Sequence, residues 1–103
     1  MAHFVILLRW TQKGIEHVKD SPSRFEHFKE TVETVGGKLV SFHMTLGAYD
    51  MMAVVDVPTD EAAAKMELAV RAVGTVDIET LRAFDENEFR DIISDVPYGK
   101  NDS

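Results

Sequence analysis

The chain has 103 residues, no cysteine, an apolar fraction of 45% and a formal net charge of −7. The length and apolar content fit one globular domain with a single core. The missing cysteines exclude disulfides and thiolate chemistry, and the negative charge argues against binding nucleic acid or an anionic membrane.

The first apolar run, Phe4 to Leu8, is stopped by Arg9. It is too short for a signal-peptide core or a membrane span, so a cytoplasmic, soluble chain is expected. His3 to Trp10 is apolar at nearly every position and reads as a central strand covered on both faces. Thr11 to Asp20 is polar and reads as a loop with room for one helical turn. Ser21-Pro22 is placed to open a helix, with serine as cap and proline in the first turn. Phe25, Phe28, Val32 and Val35 give that helix its buried stripe, and Gly36-Gly37 ends it.

Lys38 to Leu46 is the second strand, with Val40, Phe42, Met44 and Leu46 on one side and Leu39, Ser41, His43 and Thr45 on the other. Gly47-Ala48-Tyr49-Asp50 reads as a hairpin turn into a third strand, Met51 to Val57. Thr59 caps a second helix whose stripe is Ala63, Met66, Val70 and Val73, closed by Gly74. Thr75 to Phe84 is the fourth strand. Asp85, with Glu88 three residues on, caps a short C-terminal helix with Phe89, Ile92, Ile93 and Val96 on its apolar side.

The order β-α-β-β-α-β is that of an α+β, ferredoxin-like sandwich: an antiparallel sheet, two helices on one face and a short extra helix. Residues 1–94 form the domain and 95–103 a flexible tail. Right-handed crossovers place the first and third strands in the middle. By parity the bare face carries Val5, Leu7, Met52 and Val54 at its centre, too apolar to stay wet. A homo-oligomer formed through that face is expected.

Several segments recur together here: Leu8-Arg9-Trp10-Thr11, Gly14-Ile15, Val18-Lys19-Asp20-Ser21-Pro22-Ser23-Arg24, Gly36-Gly37-Lys38, Gly47-Ala48-Tyr49-Asp50, Asp60-Glu61-Ala62 and Thr80-Leu81-Arg82-Ala83-Phe84. As a set they resemble the GYD domain family of small bacterial and archaeal proteins, over about residues 3 to 94. The resemblance implies a ferredoxin-like fold of the dimeric α/β-barrel type and no particular activity.

Topology gathers the candidate site at one end of the sheet. Lys19, Ser21, Ser23 and Arg24 surround a helix N-terminus and suit a phosphate or carboxylate; plain capping with solvated charges is the simpler alternative. Trp10, Tyr49 and Asp50 suit a pocket for a small anionic or aromatic ligand, with Trp10 as wall; Asp50 bonding its own turn is the simpler alternative. His43 on the bare face is a candidate base or an interface residue. The four histidines show no close ligand spacing, so neither metal nor cofactor is expected.

Two functions follow. One is a non-enzymatic oligomeric domain that binds a small metabolite or a protein partner. The other, by analogy of fold, is a cofactor-independent enzyme of the dimeric α/β-barrel type, monooxygenase or isomerase. In that enzyme His43 or Asp50 is the base, Tyr49 its hydrogen-bond partner, and Arg9 meets substrate charge.

Overall fold

The structure is a computed structural model that describes residues 1–97. Its elements are β1 (Ala2–Trp10), α1 (Gln12–Glu16), a 3-10 turn (Val18–Asp20), α2 (Ser21–Thr34), β2 (Lys38–Met44), β3 (Met51–Val57), α3 (Asp60–Val73), β4 (Val76–Ala83) and α4 (Glu86–Ser94). The strands form one antiparallel sheet in the order β2-β3-β1-β4, so β1 and β3 are central, as expected. Of the expected tail, residues 98–103 lie outside the described part.

One face of the sheet is the core. Phe4, Ile6 and Leu8 of β1 alternate inward beside Met51, Ala53, Val55 and Val57 of β3 and Ile78 of β4. Phe28 and Val32 of α2 and Ala62, Ala63 and Met66 of α3 cover them. Burying side chains of this size contributes roughly 1.5–3 kcal/mol each. Local signals set the ends of α3: Thr59 accepts from the Ala62 N–H, and Gly74 closes the helix at φ 84°.

Four expectations change. The stretch after β1 is no open loop: Thr11 accepts from the Gly14 N–H and starts α1. Ser21 is the first residue of α2 rather than its cap, because the 3-10 turn Val18–Asp20 runs directly into the helix; its hydroxyl accepts instead from Trp10 and Arg24. The register of β2 shifts between Leu39 and Ser41, so Leu39 packs on the core and Val40 stands half exposed at the edge. Parity counted along the sequence misses such a bulge. Finally, the apolar stripes run past the core: Val73 is exposed, and so are Phe89, Ile92, Ile93 and Val96 on and just after α4, which has no buried residue.

Among the described residues, α2 and α3 cover only the core face. The opposite face presents Val5, Leu7, Met52 and Val54, half-buried, with His3, Arg9, Asp56, Asp77 and Glu79 around them.

Candidate functional site

The end of the sheet where β1 stops is tightly tied. The Thr11 N–H donates to the Thr75 carbonyl at 3.1 Å, and the Thr11 hydroxyl to the Gly74 carbonyl at 2.7 Å. Gly14 lies directly against Thr75; a β-carbon there would sit 1.9 Å from the Thr75 oxygen. This contact fixes α1 over the start of β4. Asp50 fastens the other side: its N–H donates to the Leu8 carbonyl at 2.9 Å and its carboxylate accepts the Trp10 N–H at 3.0 Å. Asp50 thus prolongs the β1–β3 pairing.

From that anchor the Trp10 side chain turns to the core face. Its indole N–H donates to Ser21 Oγ at 3.2 Å, and Arg24 donates to the same oxygen at 3.1 Å. Arg24 also donates to the carbonyls of His17 (3.1 Å) and Gly14 (3.3 Å). Trp10, Ser21 and Arg24 form one wall of a cleft between α2, α3 and the sheet. Its volume is about 400 Å³. Phe25, Phe28, Phe42, Met44, Met51, Val70 and Val73 supply half of the remaining lining residues. The Phe25 and Phe42 rings meet with centroids 4.5 Å apart. No lining residue is acidic, and Arg24 has no carboxylate partner within ion-pair distance among the described residues.

Tyr49 goes the opposite way. On the bare face its hydroxyl donates to Glu79 at 2.5 Å, and the Arg9 guanidinium lies 4.4 Å from its ring centroid. Arg9 also donates to the Ala48 carbonyl at 2.5 Å. The hydrogen bond to Glu79 holds the Tyr49 phenol above its ordinary range, helped by burial and only partly offset by Arg9. An open depression of about 490 Å³ adjoins this group, lined by Arg9, Tyr49, Arg71, Asp77 and Glu79 together with the apolar Leu7, Val76 and Ile78.

The expected single pocket of Trp10, Tyr49 and Asp50 is therefore divided by the sheet. Trp10 is brought to Ser21 and Arg24, Tyr49 to Arg9 and Glu79, and Asp50 is spent on backbone between them. Lys19 is exposed on the 3-10 turn without an ion pair among the described residues. His43 is exposed opposite Met52 of β3.

A further cluster at the far end of the sheet was not foreseen. His3 Nδ1 meets Asp56 at 2.5 Å, while its Nε2 lies 3.3 Å from Asp85 and 3.5 Å from Glu88, at the start of α4. The hydrogen bond to Asp56 raises the His3 pKa, with burial opposing it and the other carboxylates reinforcing it. The Asp85 carboxyl is lowered, first by the Glu88 N–H of its capping box and then by His3. Ligand atoms of His3, Asp85 and Glu88 all fall within 4.8 Å of one another, although no spacing rule joins residues so far apart in the chain. The ion-pair contacts of His3 and the capping box between Asp85 and Glu88 already account for this arrangement.

A family model for the GYD domain matches residues 4–93. No curated protein sequence matches the chain significantly. Among solved structures the chain is similar to TTHA0845 from Thermus thermophilus, at 20% identity and a TM-score of 0.54. That match covers 82% of this chain and 95% of the other, and it bears on fold alone.

Proposed function

The chain belongs to the GYD domain family, and from that premise we propose that it is a small oligomeric domain that binds a compact apolar anion in the cleft between α2, α3 and the sheet. The fold is read as the ferredoxin-like sandwich, for which the strand order β2-β3-β1-β4 is the support. The bare sheet face is the surface through which copies associate.

One observation carries the ligand reading: an aromatic-walled cleft of about 400 Å³ ends at a cation that no carboxylate among the described residues neutralises. That volume lies in the usual range for small-molecule sites, and an apolar lining with few polar groups is their usual character. Arg24 is held by the His17 and Gly14 carbonyls and Ser21 Oγ, and its uncompensated charge and remaining N–H groups serve a carboxylate head, while Trp10, Phe25, Phe28 and Phe42 are the walls for an aryl or alkyl body. The catalytic alternative has less support, since Asp50 is engaged with backbone and His43 is exposed.

Trp10 is the only tryptophan, so its fluorescence reports the cleft directly. Titration with decanoate and benzoate is expected to change that emission and raise Tm. Arg24→Gln is expected to weaken decanoate while leaving 1-decanol unaffected, which separates charge recognition from damage to the cleft. Absence of any emission or Tm response to all three compounds would overturn the reading.

A further inference from the structure

Thr75, just before β4, is a buried polar residue with an idle side chain. It is only 8% exposed and lines the cleft. Its carbonyl is occupied by the Thr11 N–H, yet its hydroxyl forms no hydrogen bond with any described residue. Native structures seldom bury a hydroxyl unpaired, because its bonds to water are given up with nothing in exchange. Among the described residues, Thr80 Oγ1 is the one side-chain atom that is both fully enclosed and unpaired. Thr75 Oγ1 is therefore not sealed in; it keeps contact with open space, and the cavity that Thr75 lines is the cleft.

Thr75 stands next to the charged end of that cleft, with Gly14 as the spacer. Arg24 donates to the Gly14 carbonyl at 3.3 Å, and a β-carbon on Gly14 would meet the Thr75 oxygen at 1.9 Å and Trp10 Cδ1 at 3.2 Å. The same edge of the indole carries the N–H that donates to Ser21 Oγ. That oxygen accepts from both Trp10 and Arg24, so its lone pairs are filled and its own proton is left to donate. Arg24 spends its terminal nitrogens on His17, Gly14 and Ser21 and keeps its Nε–H. Donors for an anion are thus gathered beside one hydroxyl, that of Thr75, which can donate or accept.

We infer that the cleft selects acids with a second oxygen on the carbon beside the carboxylate: α-hydroxy and α-keto acids with an aryl or alkyl body. This rests on the ligand reading above and adds the substrate class to it. The carboxylate takes Arg24 and the Ser21 proton, and the neighbouring oxygen takes Thr75. The short span across Gly14 suits oxygens on adjacent carbons. A hydroxyl or a keto oxygen serves, since a threonine hydroxyl donates to either. An unsubstituted acid leaves Thr75 buried and unpaired, and a site built to bond an oxygen rejects the analogue that lacks it.

Trp10 emission reads the selectivity. Phenyllactate is expected to bind wild type about tenfold or more tighter than phenylpropanoate, the same acid without the α-hydroxyl. Thr75→Val keeps the shape and removes the hydroxyl; it is expected to bring that ratio to about one, with a Tm no lower than wild type. Thr75→Ser, which restores the hydroxyl, is expected to restore the preference. Wild type that binds the two acids alike would overturn the inference and leave Thr75 to water only. So would a ratio that survives Thr75→Val, or an equal gain from the β-hydroxy isomer, whose oxygen lies one carbon further from the carboxylate. Decanoate separates the two readings. No response to any of these acids removes the ligand reading and the class with it, whereas a decanoate response without the phenyllactate preference removes the class alone.

Discussion

Tyr49 and Glu79, 30 residues apart in the chain, meet through a 2.5 Å hydrogen bond on the bare face of the sheet, with Arg9 stacked on the phenol ring. The bond favours the neutral phenol, so the folded pKa lies above the ordinary value of 10.0. A raised folded pKa means the contribution to stability is complete below pH 10 and fades as pH rises through the folded value. In an alkaline titration read by tyrosinate absorbance, the wild-type minus Tyr49→Phe difference is expected to titrate above 10. Glu79→Gln should bring it down towards 10; an unshifted curve would count against the pair.

His3 gives a second pH dependence, near neutrality. Its folded pKa is raised above 6.5, chiefly by Asp56, with Asp85 and Glu88 facing its other nitrogen. Stability from the imidazolium is therefore present below pH 6.5 and lost as pH climbs through the folded value. Asp85, with its lowered pKa, contributes above about 3.8 and loses that contribution as pH falls through its folded value. The Tm difference between wild type and His3→Gln is expected to be largest near pH 6 and to shrink by about pH 8. Hydrogen exchange in residues 86–94 should quicken over the same interval, and a pH-independent difference would refute the assignment.

Gly14→Ala tests how closely α1 sits on β4. The new β-carbon would fall 1.9 Å from the Thr75 oxygen, a backbone atom that cannot swing aside. Overpacking of this kind costs about 1–3 kcal/mol, to be read from urea unfolding. The Trp10 emission should shift as well, since Trp10 is the next neighbour of that β-carbon, at 3.2 Å. An unchanged midpoint would show that α1 is free to move.

Thr80 offers a gain instead. It pairs with Ile6 on the core face, and its Oγ1 is buried without a hydrogen-bond partner among the described residues. Valine keeps the shape and removes the unsatisfied hydroxyl. Thr80→Val is expected to stabilise the fold by about 1 kcal/mol in urea unfolding. A loss would mean that the hydroxyl has a partner in solution.

The readings that held rest on short-range physics. Thr59 and Gly74 bound α3 because capping and a positive φ are properties of a few consecutive residues, and Asp85 and Glu88 cap each other three positions apart. Phe28, Val32 and Met66 were legible because a helix repeats its face every turn or so, and Ile6 and Val55 because a strand alternates. Tertiary structure alone decided the rest. One unpaired residue at Val40 turns Leu39 to the core side while Phe42, Met44, Ser41 and His43 keep the sides that alternation gives them, and alternation cannot reveal that bulge in advance. Trp10 and Tyr49 converge on the same end of the sheet, but the sheet has two sides and only packing assigns a side chain to one of them. His3 finds Asp56, Asp85 and Glu88 across most of the chain's length, where no periodicity operates. Amphipathicity in α4 is legible in the sequence; that its apolar side stays exposed rather than joining the core of this chain is decided only by where β4 ends and the helix begins.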